Sequence, residues 1–142
     1  MRARARSALA GAASATAWGL AEPVDRRLVR HDYSDIALLG KWVTRGPLWR
    51  LAGFALHAAN GAVFGLAFHE ARRSSRVEPR RLALGLALAE HVAFFPLGAI
   101  VDRRHPARGH PGVVRVFSGP AFVQATWRHV LFGLLLGRLA GR

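Results

Sequence analysis

The stretch LALGLALAEHVAFFPLGAIV (Leu82–Val101) decides the fold. Arg80 and Arg81 bound it on one side, Asp102, Arg103 and Arg104 bound it on the other, and Glu90 is its one formal charge. An α-helix needs about 20 apolar residues to cross a hydrocarbon core roughly 30 Å thick, so this stretch predicts a transmembrane helix over 82–101. Pro96 lies inside it, and a proline in a membrane helix marks a kink.

Working outward, three more runs have the same character. The segment 48–69 follows Gly46-Pro47 and has no formally charged residue between Arg50 and Glu70. The segment 119–140 opens on Ser118-Gly119-Pro120, a cap and first-turn signal, and closes on the apolar run Val130 to Leu136. The first run, within 7–22, is the shortest: Ser7 to Ala21 is fifteen uncharged residues rich in alanine. After Met1 to Arg6 it reads either as a secretory signal with Ala15-Thr16-Ala17 at the cleavage site or as a retained helix. Gly11, Ala15 and Gly19 form a small-residue stripe suited to close helix packing, which favours retention. The prediction is an all-α fold, a bundle of four transmembrane helices at 7–22, 48–69, 82–101 and 119–140 in one membrane domain of 142 residues.

Composition fits this reading. A 51% hydrophobic content coexists with a formal charge of +13 because the charge sits in short segments between the runs. The arginines interrupt apolar segments and form no basic face interleaved with aromatics, which argues against a nucleic-acid partner and for the lipid bilayer. There is no cysteine, so disulfides, thiolate metal sites and thiol catalysis are excluded. Lys41 is the single lysine among 21 basic residues.

The connections are predicted as surface structure. In the longest, Glu22 to Pro47, Ser34 is an N-cap candidate for an amphipathic stretch from Asp35 to Val43. Trp42 and Trp49 then act as anchors that hold this stretch on the membrane surface. Asp25, Arg26 and Arg27, like Asp102, Arg103 and Arg104, are expected to be interfacial charges, with lipid-headgroup contact as the alternative. His105 and His110 in the third connection are expected to be solvated. The amino terminus, the short second connection and the carboxyl terminus carry ten basic residues, as do the two longer loops when Arg50 at the edge of the second run is counted with them. The higher charge density of the short pieces places both termini in the cytoplasm.

Val24-Asp25-Arg26-Arg27 after the first run matches Val101-Asp102-Arg103-Arg104 after the third. Phe64-Gly65-Leu66 matches Phe132-Gly133-Leu134 in the same way. Two repeated helical hairpins would place these matches equivalently, as in transporter folds, although repetition alone assigns no transport.

A polar layer crosses the apolar runs. Asn60 lies nine residues before His69, Glu90 nine after Arg81, and His129 nine before Arg138. At about 1.5 Å per residue that is a depth of about 14 Å, near the bilayer centre. His57 is one turn from Asn60, Gln124 one turn from Arg128, and His91 is beside Glu90. A charge facing lipid at helix centre costs about 2.5–3.5 kcal/mol, so Glu90 and Arg128 are expected to pair, with His57, Asn60, His91, Gln124 and His129 supplying hydrogen bonds. The network either fixes helix packing or forms a site for protons, an ion or a small polar ligand. A haem or metal held by His57, His91 and His129 is a further alternative, but no ligand-spacing motif supports it, and neither a metal nor a cofactor is expected. Gly61 with Gly65 and Gly133 with Gly137 are small-xxx-small pairs for packing within the chain or for self-association.

No nucleophile elbow, phosphate loop or zincin helix occurs, and no enzyme is expected. The segments Ala17 to Arg27, Asp32-Tyr33-Ser34-Asp35, His57 to Gly61, Glu90-His91 and Trp127-Arg128-His129 together resemble small bacterial integral membrane proteins. The resemblance covers most of the chain and implies a four-helix architecture in the cytoplasmic membrane, with no activity attached. The leading expectation is a structural or accessory multi-pass protein, and the rival is a small transporter or a proton- or ion-conducting protein using Glu90 and its His and Arg neighbours.

Overall fold

The computed structural model describes residues 2–141. Its elements are α1 (Arg2–Val29), α2 (Asp35–Val43), α3 (Trp49–Ser74), α4 (Pro79–Phe94), a 3-10 turn (Phe95–Leu97), α5 (Gly98–Arg104) and α6 (Gly119–Ala140). Among the described residues the regular structure is all helical. Two segments, Trp49–Ser74 and the broken helix Pro79–Arg104, are long and apolar enough to cross a membrane.

Local signals account for most boundaries. Ser34 and Ser118 cap α2 and α6, their hydroxyls accepting from the amides of Ala37 and Ala121. Glu78 caps α4 by accepting from the Arg81 amide, with Pro79 in the first turn. The amides of Arg80 and Arg81 hold the Glu78 carboxyl below the usual carboxylate range. Pro96 interrupts the third run as its missing N–H requires, and the chain tightens into the 3-10 turn before α5 continues. α1 runs past Pro23 to Val29, beyond the expected end at residue 22, and Arg30 ends it in the left-handed region with φ 54°.

Small residues set the packing. The buried face of α1 is Ser7, Ala10, Gly11, Ser14, Ala15, Trp18, Gly19, Glu22 and Asp25, a continuous 3-and-4 spacing. It meets His57, Gly61 and Gly65, spaced four apart on α3. A Cβ on Gly11 would lie 2.0 Å from the Gly61 carbonyl oxygen, and one on Gly65 would lie 2.1 Å from that of Ser7. In the second hairpin Gly133 and Gly137 press on the Cα atoms of Leu84 and Arg80. Both small-xxx-small pairs are therefore occupied within the chain.

The helices pack in the order α3, α1, α6, α4, and α3 and α4 touch only lightly. The bundle is closed on three sides and parted on the fourth. Phe68, Ala83, Ala87, Phe132 and Leu136 fill the closed part. Both chain ends lie at one end of the bundle, where Arg72 donates to the Ala140 carbonyl at 2.8 Å and Arg4 approaches Glu70. The two long connections share the other end.

Those connections depart from the surface reading. α2 does not lie apart on a surface: it packs along α3, burying Ile36, Ala37, Gly40 and Lys41. Glycine makes this approach feasible, since a Cβ on Gly40 would meet the Trp49 carbonyl oxygen at 1.9 Å and one on Gly53 that of Ile36 at 2.1 Å. The third connection docks on it, with Gly112 donating to Asp32 at 2.8 Å and Lys41 donating to the Pro111 carbonyl at 2.6 Å. His105 is not solvated but buried, bonded to the Leu38 carbonyl at 2.9 Å while accepting from the Ala107 amide. His110 is exposed.

Candidate functional site

The seven residues of the predicted polar layer divide between two places. Arg128 is fully buried in α6 and does not pair with Glu90. Its Nε and Nη2 donate to the two oxygens of Asp25 at 2.6 and 2.7 Å, its Nη1 donates to Asp35 at 2.7 Å, and Nη2 also reaches the Tyr33 carbonyl at 2.9 Å. Glu22 stands 3.6 Å from Nη1, and the Tyr33 ring lies 4.9 Å from the guanidinium. Gln124, also fully buried, donates to Asp25 at 2.9 Å.

The carboxylates around Arg128 are themselves saturated. Asp35 accepts from the Trp18 indole at 3.1 Å and from the Tyr33 hydroxyl. Glu22 accepts from the Ser34 hydroxyl and from the amides of Asp35 and Ile36 at the start of α2. One guanidinium thus ties α1, the segment after it, α2 and α6 together, with the bidentate geometry that makes arginine–carboxylate pairs strong.

The Glu90–Arg128 expectation fails because α1 ends in acids on the face that meets α6, and these reach Arg128 before Glu90 can. Asp25 is buried, 3% exposed, and is no interfacial charge. Arg26 pairs with Asp32, and Asp102 accepts from the amides of Val116 and Phe117 at 2.6 and 2.9 Å. Arg27, Arg103 and Arg104 are exposed. The missed partners, Trp18, Glu22, Tyr33, Ser34 and Asp35, left one signal in the sequence: Trp18, Glu22 and Asp25 fall on one helical face at spacings of four and three.

The remaining five residues meet where α3 and α4 part. A cavity of about 280 Å³ opens there, and its wall carries His57, Asn60, Glu90, His91 and His129. His129 bonds through Nδ1 to the Ala125 carbonyl at 2.7 Å and through Nε2 to Glu90 at 3.0 Å. A carbonyl only accepts, so Nδ1 carries a proton. The Nε2–Glu90 contact then needs one proton between the two atoms, carried by either the imidazole or the carboxyl. The side chain of Glu90 is 34% exposed toward the opening.

The other histidines complete the wall. Thr126 spends its hydroxyl proton on the Phe122 carbonyl, so His91 Nε2, 3.0 Å away, is the donor of that contact. The His91 and His129 rings stack at 4.7 Å. Trp18 sets its edge geometry against both His57 and His129, with centroids 4.9 and 4.6 Å away. His57 is 5% exposed, and its buried Nε2 has no hydrogen-bond partner among the described residues. No group of three or more His, Asp or Glu among the described residues is arranged to hold a metal ion.

Comparison of the chain with protein-family models, with curated proteins and with solved structures finds no match.

Proposed function

We propose that the chain is a non-enzymatic four-span protein of a bacterial cytoplasmic membrane, its termini cytoplasmic, and that the crevice between α3 and α4 takes up protons or a small polar ligand for transfer across the bilayer. Two helices have the length and apolarity for spans. For α1 and α6 the support is the direction of their polar groups. Glu22, Asp25, Gln124 and Arg128 are buried inward, while Leu9, Leu20, Phe122, Val123, Trp127 and Leu139 are exposed.

One observation carries the functional half of the reading: the unpartnered Nε2 of His57 on the cavity wall. A buried polar atom left unsatisfied costs about 1–3 kcal/mol, a cost that a network serving packing alone has every reason to remove. His57 lines the crevice while its Nε2 is buried, so a ligand or a protonated water chain supplies the missing partner once the side chains around that nitrogen shift to admit it. The second reading, a structural or accessory bundle, is favoured by the Arg128 cluster, in which every guanidinium nitrogen has an oxygen partner and a buried Gln124 Oε1 is left without a partner among the described residues just as His57 Nε2 is.

Proton-driven flux into proteoliposomes, wild type against Glu90→Gln, separates the two. Loss of flux with retained helical circular dichroism is the expected result. Equal flux in both proteins, or no flux in either, leaves the structural reading and overturns the first.

A further inference from the structure

We propose that the crevice binds a small aromatic organic cation in exchange for the single proton of the Glu90–His129 pair, an assignment that rests on the crevice being the binding site proposed above. The first ground is charge. The chain carries 21 Lys and Arg against 8 Asp and Glu, yet the cavity wall includes the two carboxylates Glu90 and Asp35 and, among the described residues, no lysine or arginine. The oxygens of Asp35 are already taken by Arg128 at 2.7 Å, the Trp18 indole and the Tyr33 hydroxyl. Glu90 is the carboxylate left for a ligand.

The second ground is the wall itself. Trp18, Tyr33, Phe64, Phe94, Phe95 and Phe132 line the cavity, and aromatic rings attract an organic cation, most strongly when it is desolvated. A volume near 280 Å³ suits a compact molecule and not a peptide segment. An anion would face Glu90 with no basic side chain to receive it, and a neutral molecule would leave the deprotonated pair uncompensated.

Proton and cation compete for one charge. With its proton the Glu90–His129 pair is neutral overall. Without it, His129 still donates from Nδ1 to Ala125, and Glu90 is a bare carboxylate beside a low-dielectric wall. The cation restores neutrality as the proton leaves by the open side of the crevice, on which Glu90 is partly exposed. The other titratable groups facing the pair are His91 on α4, His57 on α3, Asp35 on α2 and Tyr33 in the connection before it, with Arg128 of α6 behind Asp35. Arg128 is compensated by Asp25, Asp35 and Glu22 and adds no free positive charge to the cavity.

The test is calorimetric titration of the full chain in detergent with benzyltrimethylammonium and with its neutral analogue, benzyl dimethyl carbinol. Two buffers of different ionisation enthalpy count the protons released. The expected results are one proton released per cation bound, affinity falling about tenfold for each unit by which pH is lowered while the pair holds its proton, and carbinol binding at least about tenfold weaker. Glu90→Gln is expected to abolish proton release and Glu90→Asp to retain it. If Glu90→Gln loses its helical signal, the wild-type proton count and the carbinol comparison decide. Equal binding of the carbinol, absence of proton release or absence of cation binding overturns the proposal. Proton flux that persists without cation binding removes this ligand class alone, whereas loss of any Glu90-dependent flux removes the binding site as well.

Discussion

Arg128 shows what one residue can fix. Its side chain has no exposed surface, and every nitrogen has an oxygen partner on another segment. Removing one member of a buried ion pair costs about 3–5 kcal/mol because the remaining charges lose their compensation, and here three carboxylates would be left. Arg128→Ala is therefore expected to lower stability by about that amount, and Arg128→Lys is expected to rescue little of it, since a single ammonium cannot span Asp25 bidentately and Asp35 together. Thermal loss of helical circular dichroism in detergent checks both. A variant as stable as wild type would show the cluster to be incidental. That Arg128 is buried was legible in its place amid apolar residues. Its partners were not, because they lie on a segment whose return into the bundle has no periodic signature: Asp32-Tyr33-Ser34-Asp35 reads as turn chemistry whether it faces outward or folds back.

At the scale of the elements, glycine separates legible from illegible. The Gly61–Gly65 pair on α3 and the stripe on α1 announced close packing, and α1 and α3 do meet there, backbone to backbone. Gly40 carried the decisive information for α2, but a single glycine in a nine-residue amphipathic helix does not say whether membrane surface or another helix lies against it. The contrast between two glycines tests this packing. Gly11→Leu puts a side chain into the Gly61 carbonyl, so α1 and α3 must separate, and a loss of more than about 2 kcal/mol is expected, as for severe overpacking. Gly85 has nothing within 4 Å of its would-be Cβ, and Gly85→Ala is expected to gain up to about 1 kcal/mol in helix propensity. Equal effects of the two substitutions on the unfolding midpoint would contradict the assigned helix interface.

For the whole molecule, the sequence supplied the all-helical class and the limits of some helices: the 119–140 helix has the expected bounds, and Pro96 interrupts the third run. It did not supply the partition of the polar residues. Equal depth along three helices is compatible with one shared network, and only the packing order, with α3 and α4 parted, assigns Gln124 and Arg128 to a buried cluster and the other five residues to a crevice. That partition is the central claim, and the absence of cysteine makes it directly measurable. Cysteines placed singly at Asn60, on the crevice wall, and at Ala121, fully buried beside Tyr33, are to be titrated in membranes with a small hydrophilic thiol reagent. Fast labelling at Asn60→Cys and none at Ala121→Cys until the protein is denatured is the expected result; equal reactivity at the two positions, or protection of both, would contradict it.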